Sequence, residues 1–233
     1  MTIDNPAQFD RYASSYDEDL QRALSATGES REYYADARIR WSAQCIFKTG
    51  ARCTKVLDFG CGDGANTTTL LHYFRPEQLV GVDASSGQIE RARSTNNRSG
   101  AAFYTPAEFP VSADFDVAYC NGVFHHIPPP ERQPALKYVM STLRPGGWFA
   151  FWENNPWNPG TRYVMSNCAF DEDAITLSPV QATAMLRTAG FSIIRRDCLF
   201  YFPAGLKWLR PIERALIKLP LGGQYQILCQ KPE

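Results

Sequence analysis

The 233-residue chain balances 24 basic against 24 acidic residues and is 44% hydrophobic, which suits one α/β domain and gives no global field toward nucleic acid or anionic membrane. Its seven cysteines are scattered singly, with no C-x-x-C pair and no histidine at metal spacing, so reduced thiols in a cytoplasm are expected and no metal centre is. The start, with Asp4 and Pro6, lacks a basic-then-apolar leader pattern, and no run approaches the roughly 20 apolar residues that span a bilayer.

Residues 1–50 are rich in aromatic side chains. Tyr12 and Tyr16 stand four apart and share a face if the segment is helical. Ser30 to Phe47 reads as a second helix, with Tyr34, Trp41 and Cys45 on one stripe. Val56-Leu57-Asp58-Phe59 is then an apolar run around a carboxylate, followed by glycine at positions 60, 62 and 64 and a helix from Ala65 to Phe74. A strand, a glycine turn and a helix leave bare backbone N–H groups where a nucleotide-like ligand can approach closely. Gly60, Gly62 and Ala65 also meet the loose dinucleotide pattern, so an NAD(P) site is a competing reading.

Leu79 to Asp83 is the second strand, and Asp83 follows Gly64 by nineteen residues, where an acid can accept both ribose hydroxyls of a nucleoside. Ser85 and Gln88 make a capping box for the next helix. Ala101 to Thr105 is the third strand and Phe115 to Cys120 the fourth, with Asn121-Gly122-Val123-Phe124-His125-His126 at its carboxyl end. Ligands of open parallel sheets bind outside such ends. His125 or His126 is therefore a candidate general base, the alternative being a structural imidazole bonded to backbone. Pro128 to Pro130 opens a helix with Leu136, Val139, Met140 and Leu143 as its core stripe.

Pro145-Gly146-Gly147 turns the chain into a fifth strand, Trp148 to Trp152. Glu153 to Gly160 is rich in proline and asparagine and predicts an irregular wall of a pocket. Within it Glu153 is a second candidate base, and Asn154 and Trp157 are candidate substrate contacts. The alternative is a rigid surface loop. Residues 161–177 continue as an irregular insertion whose acidic triplet, Asp171-Glu172-Asp173, reads as solvated. Ser178 and Gln181 form another capping box; Phe191 to Phe202 is a sixth strand and Gln224 to Gln230 a seventh. Leu206 to Leu219 is basic and amphipathic; it is expected to pack on the chain's own sheet, the alternatives being a membrane surface or a greasy acceptor.

Taken in order, Val56-Leu-Asp58-x-Gly60-Cys61-Gly62-x-Gly64, Val80-Gly-Val-Asp83-Ala84-Ser85, Phe115 to Cys120, His125-His126 and Leu143-Arg-Pro-Gly-Gly-Trp148 resemble the motifs of class I S-adenosylmethionine (SAM) methyltransferases. The resemblance covers roughly residues 55–153 and is more specific as an ordered set than any single member. It implies a doubly wound, seven-stranded Rossmann-like sheet with its last strand antiparallel, over residues 51–233. It also implies an N-terminal helical lid, residues 1–50, since Phe9-Asp-x-x-Ala-x-x-Tyr16-Asp is similar to the segment that covers the cofactor's methionine end in that family.

By the same resemblance the cofactor-binding residues are Tyr12, Tyr16, Asp58, Gly60, Cys61, Gly62, Asp83, Ala84, Ser85, Asn121 and Gly122, with the loop Pro106, Ala107 and Glu108. The family commonly reads Gly-Asp-Ala there and its Asp takes the adenine amino group; here Thr105-Pro106 stands in place of Gly-Asp, which leaves adenine to backbone near Ala107 and to apolar contacts. The activity implied is methyl transfer from SAM, giving S-adenosylhomocysteine, to an O-, N- or C-nucleophile of a small molecule, lipid-linked or aromatic, with neither nucleic acid nor metal. The alternatives are an NAD(P)-dependent oxidoreductase and a SAM-binding or interaction protein without turnover.

Overall fold

Seven strands, β1 (Lys55–Phe59), β2 (Gln78–Val82), β3 (Ala102–Tyr104), β4 (Phe115–Asn121), β5 (Leu143–Asn154), β6 (Ser192–Leu199) and β7 (Gln224–Gln230), form one sheet in a computed structural model that describes residues 21–97 and 100–233. Tyr12 and Tyr16 lie outside the described residues. The strand order is β3-β2-β1-β4-β5-β7-β6. β1 through β5 run parallel, and β7 enters antiparallel between β5 and β6. The winding reverses between β1 and β4, so a crevice opens beyond their carboxyl ends.

The central strands β1, β2, β4 and β5 are buried over most of their length because both faces are covered. Residues 117–120 of β4 are fully buried, and alternate side chains go to opposite cores. One core joins Leu57, Ala118 and Phe151 to Leu136 and Val139 of α4 (Pro129–Thr142) and to Ala182 and Leu186 of α6 (Pro179–Thr188). The other joins Val56, Tyr119 and Trp152 to Ile39, Ala43 and Ile46 of α1 (Arg31–Phe47) and to Leu70 and Phe74 of α2 (Thr67–Phe74). A third, smaller cluster holds Ile89 and Ala92 of α3 (Ser86–Thr95) against Phe103 of β3.

α1 is set firmly into this frame. Ser30 caps it by accepting the Tyr33 N–H at 3.3 Å, and inside it the Ser42 hydroxyl accepts from Trp152 Nε1 at 2.9 Å and Gln226 Nε2 at 2.6 Å. Ser178 and Gln181 close a reciprocal capping box on α6, as expected. All seven cysteines are free and buried. Among the described residues no helix is long and apolar enough to cross a membrane.

Three regions differ from expectation. Pro145 to Gly147 do not precede the fifth strand; they bulge within it, since Phe115 pairs with Leu143 and Val117 already with Trp148. Four residues, 144–147, therefore stand against the single Asp116 on the other strand, and Gly146 takes a positive φ of 69° to allow it. The stretch expected to be irregular through residue 177 contains α5 (Pro159–Ser166) and a 3-10 turn (Ala169–Asp171). Asn158 caps α5 by accepting the Thr161 N–H at 2.9 Å, with Pro159 in its first turn. Finally, the stripe at 206–219 does not pack flush on the sheet. α7 covers only Arg210–Leu216 after a 3-10 segment, Ala204–Leu209, and Leu206, Trp208, Ile212 and Leu219 stay exposed; Pro211 keeps the two pieces from forming one helix long enough to bury them.

Candidate active site

β1 ends in a turn stitched across the end of β2: the Gly60 and Cys61 N–H groups both donate to the Val82 carbonyl, at 2.8 and 3.2 Å. Gly60 has φ +74° and a Cβ there would fall 2.2 Å from Val123 Cγ2, so only glycine fits. Gly62, at φ +53°, turns its N–H to Asp83 Oδ2 at 2.9 Å, while Ser85 N–H donates to Asp83 Oδ1 at 2.9 Å. These two bonds hold the carboxylate at the tip of β2.

Gly60, Cys61, Gly62, Asp83, Ala84 and Ser85 wall a cavity of about 400 Å³, joined by Pro106, Asn121 and Gly122. The other expected cofactor residues stand elsewhere. Ala107 and Glu108 are exposed, and the Glu108 carboxylate accepts the Thr105 N–H at 2.9 Å and pairs with Arg93 at 3.0 Å. Asp58 lies buried behind the wall, its Oδ2 without a hydrogen-bond partner among the described residues; burial, then the nearby Asp83 charge, raises its carboxyl to about 7.

A second cavity, of about 490 Å³, shares residues of α1 and the β4 loop with the first. Tyr33, Tyr34 and Phe200 give it an aromatic wall; Tyr34 meets Tyr33 edge-on at 5.3 Å and Phe200 at 4.9 Å. Asn154 lines it and accepts from Gln224 Nε2 at 2.9 Å, whereas Trp157 lines neither cavity and is 46% exposed. Arg31, Arg38, Asn121, Gly122, His125 and His126 border both cavities.

That junction carries most of the site's charge. Glu153 is buried and lines neither cavity. Its Oε1 accepts the Phe124 N–H at 2.7 Å and its Oε2 sits 2.6 Å from His125 Nδ1, so it fixes His125 instead of facing an acceptor. His125 Nε2 and His126 Nε2 approach the same oxygen, Asp171 Oδ1, at 3.3 and 3.4 Å. Burial would lower the His125 imidazole, but the Glu153 and Asp171 carboxylates outweigh it and raise it to about 10. Burial and then the His125 charge push His126 down to about 2.

Sequence reading missed Arg31, Arg38 and Asp171. Arg38 is 6% exposed; its Nη1 donates to Gln224 Oε1 at 2.8 Å, its Nε has no partner, and no carboxylate among the described residues pairs with it. A guanidinium cannot shed its proton, so a buried one beside a cavity suits an anionic partner. The only signal in the sequence was a charged residue on the inward stripe of a predicted helix.

A family profile described as "Methyltransferase domain" matches residues 57–149. Together with the motif order, the sheet topology and the cavity at the reversal point, that match decides the family. The chain carries a class I SAM-dependent methyltransferase domain. Its sheet differs from the dinucleotide-binding order 3-2-1-4-5-6 by the antiparallel β7 inserted before β6, which removes the NAD(P) reading of the glycine turn. A trans-aconitate 2-methyltransferase of Rhodopseudomonas palustris is 29% identical over 118 residues, 51% of this chain and 45% of that protein. The chain spans about a quarter to under half the length of the curated relatives it matches first, from 24% to 45%.

Solved methyltransferase structures share the fold. A SAM-dependent methyltransferase from Archaeoglobus fulgidus superposes with a TM-score of 0.64 at 18% identity, covering 89% of this chain and 97% of that one. A structure titled [4+2]-cyclase SpnF does so with a TM-score of 0.64 at 17% identity and 94% of each chain. The cavity of this methyltransferase domain suits such a cofactor on the chain's own terms: a glycine turn that lets a ligand approach the backbone closely, an acid fixed at the tip of β2, and a buried guanidinium that no carboxylate among the described residues pairs with.

Proposed function

We propose that this protein binds SAM in the first cavity and transfers its methyl group to a small molecule held in the second. The observation that carries the reading is the shared wall: Asn121, Gly122, His125 and His126 border both cavities, so donor and acceptor meet at one place. Bound SAM supplies a methyl carbon already activated by its sulfonium. The chain has to hold, align and dry the two reactants, and alignment alone accounts for roughly 7–11 kcal/mol of such a barrier.

Asp83 would take the ribose hydroxyls, and Arg38 the carboxylate at the methionine end. The lid role, with Tyr12 and Tyr16, belongs to the same reading for the part of residues 1–50 that precedes α1, since α1 itself is packed into the core. The acceptor oxygen, nitrogen or carbon bonds to the methyl as the carbon–sulfur bond breaks, and its proton must leave. The His125, His126 and Asp171 cluster would take or relay that proton, since both histidines border both cavities. The aromatic wall of Tyr33, Tyr34 and Phe200 suits a planar or lipid-linked acceptor, and the name of the trans-aconitate relative supports a small molecule over nucleic acid. Seven reduced, buried thiols fit a cytoplasmic setting.

The test is transfer of a labelled methyl from SAM to panels of hydroxylated aromatics, isoprenoid-linked rings and polycarboxylates, scored by label in the acceptor. Label should move to one chemical class, with S-adenosylhomocysteine formed in equal amount. Tight SAM binding with no label transferred to any panel would replace this reading with the non-catalytic one. Scoring the label matters because the same fold occurs in a protein titled a cyclase.

A further inference from the structure

His125, His126 and Asp171 meet at spacings longer than those of a good hydrogen bond. Asp171 Oδ1 lies 3.3 Å from His125 Nε2 and 3.4 Å from His126 Nε2, and one donor atom from each side chain falls within 4.8 Å of the others. Good N–H···O bonds close to about 2.9 Å. Donors around a tetrahedral divalent ion, at bonds of ~2.0–2.1 Å, stand roughly 3.3–3.4 Å apart. The two measured separations match the coordination edge. Asp171 Oδ1 is moreover buried, on a side chain only 6% exposed, with the two imidazole nitrogens as its polar neighbours among the described residues.

The surroundings fit the same purpose. Glu153 Oε2 grips His125 Nδ1 at 2.6 Å, which turns Nε2 toward Asp171. Ligating histidines are ordinarily held this way, by a carboxylate on the ring nitrogen that does not bind the metal. Both histidines border both cavities and Asp171 borders the second, so a ligand position left open would face the junction. Two imidazoles with one carboxylate suit first-row ions of the zinc type over the oxygen-seeking magnesium and calcium.

We infer that His125, His126 and Asp171 bind one divalent first-row cation, with an open position directed at the acceptor. Ion binding stands on these contacts; its role rests on the methyl-transfer reading. In that role an acceptor hydroxyl placed at the open position loses its proton to solvent near neutral pH, because the ion stabilises the oxyanion. The oxygen–methyl bond then forms as the carbon–sulfur bond breaks, with no oxidant or reductant needed. The substrate class this selects is a hydroxylated small molecule, not an amine or an activated ring carbon.

The test is titration of the full chain, stripped with a chelator, with Co²⁺ and then with competing Zn²⁺, followed by visible absorption and calorimetry. One equivalent of Co²⁺ with the intense bands of a low-coordinate site is expected, displaced by Zn²⁺. Asp171→Asn and His126→Gln should each abolish it while far-UV circular dichroism stays native, and Glu153→Gln should weaken it about 10–100-fold. Absence of stoichiometric binding in the native chain, or equal binding in Asp171→Asn and His126→Gln, overturns the inference. SAM titrated in the same samples separates the two readings: SAM binding without ion binding ends this inference alone, and ion binding without SAM binding ends the methyl-transfer reading alone.

Discussion

The first cavity draws its walls almost wholly from turns at the carboxyl ends of β1, β2 and β4, with two arginines of α1. The second is assembled from segments scattered from Leu24 to Gln224: α1, the β4 loop, α5, the 3-10 turn at Asp171 and the chain after β6. One cavity is therefore shaped by backbone, glycine conformations and a strand-end acid; the other is shaped by side chains on unrelated stretches. Substitutions at the backbone-built cavity should cost fold or cofactor affinity, and those at the other should alter which acceptor reacts.

The largest expected effect breaks the backbone-built side. Gly60→Val places a Cβ 2.2 Å from Val123 Cγ2 at φ +74°, and thermal unfolding should register a loss of roughly 3–5 kcal/mol. Gly205→Ala, with nothing within 4 Å of the added methyl, should leave the melting curve in place. Equal effects would erase the contrast.

The next effect is on pH dependence. Asp58 holds its proton up to about pH 7 in the folded chain because of burial and Asp83, while in the unfolded chain it ionises near its ordinary value of ~3.9. The folded state binds the extra proton in between, so stability falls as pH rises from about 4 to 7, by on the order of 1 kcal/mol per pH unit. Asp58→Asn should flatten that slope in denaturant titrations across the window.

Arg38→Met should divide two quantities. Removing a buried charge that no carboxylate among the described residues pairs with should raise the chain's stability. SAM affinity should fall by roughly tenfold or more, since charge-assisted contacts contribute about 1.5–3 kcal/mol. A variant whose SAM affinity is unchanged would show that Arg38 serves no anion. Smallest of all, Trp157→Ala should change neither SAM affinity nor turnover, as the side chain borders neither cavity.

The legible parts of the chain were those where local pattern is itself the structure. The strand, glycine turn and acid of Val56 to Asp83 determine their own conformation within thirty residues, as does Ser178 with Gln181 at the start of α6. Asn158 and Pro159 signalled α5 just as clearly, but the neighbouring prolines and asparagines masked that helix start. Asp171 read as one of three solvated acids because only the fold carries it back to His125 and His126. Glu153 was recognised as chemically important, yet its pairing with the Phe124 N–H and His125 depends on the β4–β5 register and could not be read from spacing. Buried polar partners across distant segments leave no periodic trace.

The most direct test of the central claim is calorimetric titration of the chain with SAM, S-adenosylhomocysteine and NAD(P), beside the same titrations of Asp83→Ala. One saturable site for SAM and its product is predicted, weakened roughly a hundredfold in the variant through the loss of charge-assisted bonds of about 1.5–3 kcal/mol each, with no heat from NAD(P). Binding of NAD(P), or SAM affinity indifferent to Asp83, would contradict it.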